Sequence, residues 1–174
     1  MKADFEKKLE ENGFSHHCNT IGLYSLGLSD DTNRSFQVQF ISSEPVDESV
    51  LGSCNGNSVK SIGHFKFRLS IGVNEPDFYI FAFSNTKTHS KEYIIIPAQD
   101  IRRRLAKESQ IATGNKEIEI VFWLMPDKRL FETKSKGIEW EWYFLSKGRN
   151  GRLADRTDYD YTEFLNDWNR LKMK

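Results

Sequence analysis

Two short apolar runs predict the centre of the fold. Residues 78–83 and 93–96 are aromatic, β-branched or small and carry no charge, as in strands that are buried on both faces. Pro97 ends the second run because it has no N–H group to donate to a neighbouring strand. Ile101 and Leu105 follow four residues apart and give one apolar edge to a helix. The pattern therefore predicts strand, polar turn, strand and helix.

Weaker patterns before and after this unit predict the rest of an α/β fold. Phe5 and Leu9 share one face of a helix over residues 3–12, which Gly13 ends. A last helix begins near Asp160, with Glu163 three residues on as in a capping box. The other predicted elements are strands over 18–28 (bent at Gly22 or Gly27), 35–42, 62–71, 117–125 and 138–145, a turn over 29–34, and loops over 43–60 and 128–137. We expect one α/β domain over residues 1–174, with a central mixed sheet of six or seven strands flanked by helices.

The composition indicates an aromatic core and a formal net charge of zero. Aromatic residues make up 13% of the chain, which supplies apolar burial although 29% of the residues are charged. The 25 basic and 25 acidic residues cancel, so a nucleic-acid site must come from local clustering. Cys18 and Cys54 do not make a disulfide framework at this length, and the N-terminus lacks the apolar core of a signal peptide. We expect a reduced, cytoplasmic protein without a membrane segment.

One strand carries the most informative polar pattern. Gln37 and Gln39 are two residues apart, so their side chains point to the same face of the strand over 35–42. In metal-dependent nucleases, this arrangement directs a carboxylate or amide oxygen and a lysine at one phosphate. The alternative interpretation is the outward face of a half-buried strand.

From this strand onward the chain resembles the restriction-endonuclease-like, PD-(D/E)XK nuclease superfamily. The pattern is an acidic turn, a Gln-Val-Lys strand, two further aromatic strands, a Tyr-Ile-Ile-Pro helix start and an Asn-x-Trp segment. The matching stretches here are residues 30–31, 36–39, 64–69, 77–83, 93–98 and 164–168. The resemblance implies a restriction-endonuclease-like mixed sheet and Mg²⁺-dependent endonuclease cleavage of DNA in a restriction system.

The resemblance also implies site residues. Asp30 or Asp31 corresponds to the metal-binding aspartate, and Gln37 to the second metal-binding position. Gln39 replaces the family's lysine, so no cation at that position stabilises the attacking hydroxide or the phosphate. Aspartate is also favoured in turns for its backbone geometry alone, so Asp30 and Asp31 fit a turn without a role in metal binding.

Two residues outside this motif complete the predicted site. Lys66 could reach the scissile phosphate from a neighbouring strand. Glu44 could add an oxygen ligand, since Mg²⁺ prefers carboxylates and water. The predicted catalytic residues are thus Asp31, Gln37, Gln39 and Lys66, and the predicted metal ligands are Asp30, Asp31 and Glu44. An active phosphodiester hydrolase and a family member with a degraded site, retained for binding, both stay open.

Two basic clusters could contact phosphates. One lies on the helix after Pro97 and includes Arg103. The other is a glycine-containing loop with Lys147, Arg149, Arg152 and Arg156. Phosphate contacts from either cluster would make binding depend on salt, whereas solvated charges cancelled by acidic neighbours are the alternative. We expect DNA as the partner and leave a homodimer open. The alternative function is a non-catalytic DNA-recognition or protein-interaction module in a defence or repair system.

Overall fold

The structure, a computed structural model, describes residues 1–20, 22–28, 31–44, 61–69, 75–85, 88–106, 117–125, 127–133 and 160–173. These residues contain two α-helices and eight strands. The helices are α1 (Lys2–Glu11) and α2 (Ala98–Ala106). The strands are β1 (Phe14–Thr20), β2 (Leu23–Leu28), β3 (Asp31–Ser42), β4 (Ser61–Arg68), β5 (Phe78–Ser84), β6 (Lys91–Pro97), β7 (Glu117–Leu124) and β8 (Leu130–Thr133).

The strands form a five-stranded sheet in the order β1-β2-β3-β5-β6 and a three-stranded sheet in the order β4-β7-β8. In the larger sheet β3 and β5 pair in parallel and the other neighbours are antiparallel. Parallel neighbours need a crossover connection, and here the chain passes through β4 of the smaller sheet between them. The predicted α/β class with a mixed sheet and helices is confirmed. The described strands are divided between two sheets, whereas the sequence indicated one sheet of six or seven.

The core lies on both sides of β5 and β6. The side chains of residues 78–83 are all buried, as the uncharged run predicted. One face of the large sheet packs against Phe5 and Leu9 of α1 and against Trp168. The other face packs against the small sheet and α2, where Phe81 lies 5.1 Å from Phe65 between ring centroids. Each buried aromatic side chain of this kind contributes about 1.5–3 kcal/mol, so this layered contact holds the two sheets together.

The N-terminal part of the large sheet differs from the prediction. The single bent strand over residues 18–28 is wrong, because Phe14–Thr20 and Leu23–Leu28 are two antiparallel strands. Gly22 reverses the chain at φ +81°, a left-handed conformation that glycine adopts without steric cost. Residues 31–34 of the predicted turn over 29–34 belong to strand β3, which begins at Asp31, and residues 29–30 lie outside the described residues.

The C-terminal part also departs from the prediction. Part of the predicted loop over 128–137 is strand β8, whose Leu130 is fully buried. The predicted last helix is wrong, because the chain forms two 3₁₀ turns, Thr162–Phe164 and Trp168–Met173. Between them Leu165 pairs with Ile94 of β6, so an extended contact interrupts the helix. The predicted strand over 138–145 lies outside the described residues. None of the described helices is long and apolar enough to cross a membrane.

Candidate functional site

The strands β1, β2 and β3 carry one apolar and one polar face. Even-numbered residues such as Phe14, Tyr24 and Phe36 pack toward α1, so alternation directs the odd-numbered residues to the opposite face. We call this opposite face the polar sheet face and define it by Ser15, His17, Asn19, Ser25, Gly27, Ser35, Gln37 and Gln39; the half-buried Leu23, opposite Gln39, lies beside them on this face. It contains hydroxyl, amide and imidazole groups and no Lys, Arg, Asp or Glu. All of its members are exposed or half-buried, so it offers uncharged hydrogen-bonding groups to solvent.

A row of side chains crosses the polar sheet face. His17 lies opposite Ser25, and Ser25 lies opposite Gln37. Neighbouring strands are about 4.8 Å apart, so the three side chains form one continuous row. Asn19 Nδ2 donates to Ser25 Oγ over 2.7 Å, which holds the middle of this row in place.

Gln37 is anchored through its backbone, and its side chain stays exposed. Its N–H group donates to Asp77 Oδ2 over 2.7 Å, and the Asp77 N–H group donates to the Gln37 carbonyl over 2.8 Å. These bonds join the middle of β3 to the start of β5. Among the described residues, no hydrogen-bond partner faces the Gln37 side-chain amide. That amide is therefore free to bind a ligand.

Gln39 lies at the turn between β1 and β2. A Cβ atom on Gly22 would come within 3.0 Å of Gln39 Nε2 and within 2.7 Å of the Phe40 carbonyl oxygen. The half-buried Gln39 amide thus lies against the glycine of this turn. Sequence reasoning correctly placed Gln37 and Gln39 on one face.

A second polar region lies on the outer face of the small sheet. We call Glu44, His64, Lys66 and Glu119 the charged cluster. The Glu44 N–H group donates to the His64 carbonyl over 2.7 Å, which holds Glu44 beside β4. Its Oε2 atom lies 3.1 Å from Lys66 Nζ and 3.5 Å from His64 Nδ1. Glu119 Oε1 lies 2.5 Å from His64 Nε2. The cluster therefore alternates acidic and basic groups.

The charged groups of this cluster are paired mainly with one another. The hydrogen bond from Lys66 to Glu44 and the charge of Glu44 raise the pKa of Lys66, with Glu119 and Glu117 adding to the effect. Both His64 nitrogens face carboxylates, which only accept hydrogen bonds when ionised. Exposed ion pairs of this kind stabilise a fold weakly. The cluster is thus a surface network of mutually paired groups rather than a field directed at a ligand.

The predicted metal ligands are not brought together. Asp31 is the first residue of β3, whereas Glu44 follows its last residue, and a strand of this length spans on the order of 35 Å. Ligands of one Mg²⁺ ion all lie about 2.1 Å from it. Asp30 lies outside the described residues. No group of three or more His, Cys, Asp or Glu among the described residues could hold a metal ion, so these residues do not fit the implied magnesium site.

The predicted catalytic residues are divided in the same way. Lys66 lies beside Glu44, beyond the end of β3, and its contact with a scissile phosphate stays a prediction. Gln37 and Gln39 lie further back, and Gln39 is about 16 Å from Glu44 along an extended chain. No lysine therefore replaces the missing one beside the two glutamines within the part of the chain that is described.

The basic helix surface is largely occupied by internal contacts. Arg102 Nε lies 2.9 Å from Glu75 Oε1. Arg103, the predicted DNA contact, is 71% exposed and pairs with Asp100 in its own helix turn. Arg104 is half-buried, and its guanidinium lies over the Tyr161 ring at 4.4 Å, where it anchors the C-terminal segment. The predicted DNA contacts Lys147, Arg149, Arg152 and Arg156 lie outside the described residues.

A cavity of about 600 Å³ lies where β5 begins and where α2 follows β6. Its walls combine apolar and charged side chains, namely Glu75, Pro76, Asp77, Phe78, Pro97, Ala98, Gln99, Asp100, Arg102, Arg170 and Met173. The volume falls in the range of small-molecule sites, about 300–1,000 Å³. Its arginines already face carboxylates, since Arg170 pairs with Asp167 over 3.1 Å. Both arginines of the cavity are therefore already paired with carboxylates of the described chain.

Sequence reasoning missed His17, Ser25 and Asp77 as neighbours of Gln37. The pair His16-His17 is visible in the sequence, but only the pairing of β1 with β2 shows that His17 points to the polar sheet face. A scan against models of protein families, a search of curated proteins and a search of solved structures each found no match.

Proposed function

We propose that the protein is a DNA-binding module of the restriction-endonuclease-like kind that does not hydrolyse phosphodiesters. The observation that carries this proposal is the polar sheet face. It presents the exposed Gln37 and the half-buried Gln39 on one face, and none of the residues that define this face is a carboxylate or a lysine. The resemblance to nucleases directs attention to this strand, and its side-chain chemistry favours contact over cleavage.

Hydrolysis of a phosphodiester builds up negative charge in the transition state, and an enzyme must place a positive charge beside it. A metal ion or a lysine stabilises the attacking hydroxide and the phosphate in the transition state. The acids of the charged cluster, Glu44 and Glu119, are engaged with Lys66 and His64. A module that only binds has no such requirement, and the exposed amides and hydroxyls suffice for it.

Uncharged polar side chains are suited to contacts with DNA. Ser, Asn and Gln donate to phosphate and sugar oxygens, and Gln can also pair with an adenine edge in the major groove. Affinity would come from the segment with Lys147, Arg149, Arg152 and Arg156, because neutralised phosphates release counterions. In this proposal the basic segment supplies attraction and the polar sheet face supplies position.

The first experiment measures binding of a short fluorescein-labelled DNA duplex by anisotropy over a series of KCl concentrations. We expect the four-residue variant K147Q/R149Q/R152Q/R156Q to flatten the plot of log affinity against log salt by about 3–4 units. The control K7Q/K8Q removes two charges from α1 and should leave the plot unchanged. Failure of the native protein to bind, or equal slopes for native and four-residue variant, would overturn the DNA-binding part.

The second experiment tests the absence of cleavage. Supercoiled plasmid is incubated with the protein and Mg²⁺ or Mn²⁺, and nicked and linear products are separated on a gel. We expect no product above the buffer control. Nicking that is present in the native protein and lost in Gln37→Ala, while DNA binding is retained, would restore an active nuclease and contradict the proposal.

A further inference from the structure

His17 is the one ionisable side chain among the residues that define the polar sheet face. It is exposed at the middle of β1, and no described residue forms a hydrogen bond or an ion pair with its imidazole ring. Histidine ordinarily changes its charge between about pH 5 and 8. The face is therefore uncharged in mildly alkaline solution and gains a positive charge as the pH falls.

The neighbours of His17 on this face are uncharged and are bonded within the sheet. Ser25 lies directly opposite on β2, and its Oγ atom accepts a hydrogen bond from Asn19 Nδ2 over 2.7 Å. Ser15 Oγ donates to the Gly27 carbonyl over 3.2 Å. None of these groups can neutralise a charge on the ring, so the imidazole is left to bind a ligand.

The charged side chains beside β1 approach it from the side of α1. Lys2 Nζ lies 3.8 Å from Cys18 Sγ and 3.8 Å from Glu6 Oε1. Lys172 Nζ lies 6.0 Å from the centre of the Phe14 ring. Lysine and glutamate ordinarily keep their charges between about pH 5.5 and 8. These groups therefore contribute a constant charge over this range, and they lie on the opposite side of the strand from His17.

We propose that His17 binds a DNA phosphate as the imidazolium, so that the polar sheet face holds DNA more tightly as the pH falls. This inference rests on the proposed DNA binding and names the residue through which pH regulates it. Both ring nitrogens donate hydrogen bonds when the ring is protonated. A charged donor binds a phosphate oxygen about twice as strongly as a neutral one.

The position of His17 suits such a contact. It lies in one row with Ser25 and Gln37, and neighbouring strands are about 4.8 Å apart. A DNA strand that lies along this row contacts the exposed Gln37 amide at one end and the His17 ring at the other. Phosphate binding by His17 thus adds attraction at the end of the row where β1 forms the edge of the sheet.

Anisotropy of a fluorescein-labelled duplex at fixed KCl concentration, at about pH 8 and about pH 5.5, tests this role. We expect the affinity of the native protein to rise about fivefold at the lower pH. His17→Gln should lose most of this rise. His17→Arg fixes the charge, so at the higher pH it should bind about as tightly as the native protein does at the lower pH.

His16→Gln is the matched control, because it makes the same exchange at the adjacent position. The His16 ring lies on the α1 side of the strand, 6.3 Å from the Tyr24 ring between centroids. This variant should keep the full native rise in affinity. An equal loss of the rise in His16→Gln and His17→Gln would overturn the assignment to His17.

The two proposals fail in different ways. A native protein that binds no duplex at either pH would overturn both the DNA binding and the role of His17. A native protein that binds DNA, but whose rise in affinity is unchanged in His17→Gln, would overturn the role of His17 alone.

The salt dependence of binding supplies a second readout of the same contact. A phosphate that is neutralised only by the protonated ring should steepen the native plot of log affinity against log salt by about one unit at the lower pH. The slopes of His17→Gln should agree at both pH values. Equal slopes at both pH values in the native protein would contradict a phosphate contact by the imidazolium.

Discussion

The polar sheet face and the charged cluster are both exposed polar regions. The charged cluster pairs its side chains with one another, whereas the polar sheet face leaves the Gln37 amide in solvent. In the charged cluster, Glu44 lies within 3.5 Å of both His64 and Lys66. On the polar sheet face the Gln37 side-chain amide stays in solvent, and the nearby carboxylate of Asp77 is bonded to backbone. One region has satisfied its charges internally, and the other has few charges to satisfy.

This difference shows that exposed charge alone is a poor indicator of a site. A ligand that binds at the charged cluster must first replace ion pairs, and it recovers only part of their energy because polar groups lose water on binding. A ligand that binds at the Gln37 amide displaces water and breaks no ion pair. In our proposal, the uncharged face is the surface that contacts DNA, and the segment with Lys147, Arg149, Arg152 and Arg156 supplies the attraction.

The largest expected effect comes from putting a negative charge on the polar sheet face. Gln37→Glu keeps the size of the side chain and repels phosphate, so we expect duplex affinity to fall about tenfold, equivalent to about 1.4 kcal/mol. Glu119→Gln is the matched exchange in the charged cluster and should leave affinity nearly unchanged. Anisotropy at one fixed salt concentration compares the two. Equal losses for both variants would remove the distinction between the regions.

A smaller effect is expected when the missing lysine is restored. Gln39→Lys adds one positive charge beside Gln37, which should steepen the salt dependence of DNA binding by about one unit. Plasmid nicking should still be absent, because the described carboxylates are not assembled next to this strand. The salt series used for the native protein measures the first result, and the plasmid assay measures the second. The appearance of Mg²⁺-dependent nicking in this variant would show that a metal site is present after all.

The parts of the fold that the sequence predicted well depend on local patterns. Ile101 and Leu105 are 0% and 3% exposed, because helical spacing alone places both on one face of α2. The uncharged run over residues 78–83 is likewise buried throughout, since a run without polar residues fits only a strand covered on both faces. In both cases neighbours in sequence decide the outcome.

The parts that failed depend on contacts between distant residues. The spacing of Phe164, Trp168 and Leu171 fits a helix, yet Asn166 adopts φ +54° and its backbone N–H group donates to the Tyr93 carbonyl. Pairing with the edge of β6 outweighs the local helical pattern there. The row of His17, Ser25 and Gln37 has the same origin, since strand register is set by pairing and not by sequence spacing. The predicted metal set failed because β3 separates its acidic residues.

A third prediction concerns the stability of the charged cluster. His64→Gln removes the ring that lies between Glu44 and Glu119, and we expect the free energy of unfolding to fall by less than about 1 kcal/mol, because exposed ion pairs contribute little. Urea denaturation followed by fluorescence measures the change. The same variant should bind duplex DNA like the native protein. A loss of several kcal/mol would mean that the cluster is a structural support and not a surface network.

The smallest effect is expected at high pH and comes from Lys66. Glu44 raises the pKa of this lysine above its ordinary value of 10.5 in the folded protein. A raised pKa means that the folded state binds the proton more tightly than the unfolded state. The stabilisation is therefore fully present below about pH 10.5 and is lost as the pH rises through the folded pKa. Lys66→Met lacks this contribution, so the stability difference between native and variant should shrink above that pH. Urea midpoints measured at neutral and alkaline pH test this, and a difference that grows with pH would show that the Glu44 contact does not stabilise the charged lysine.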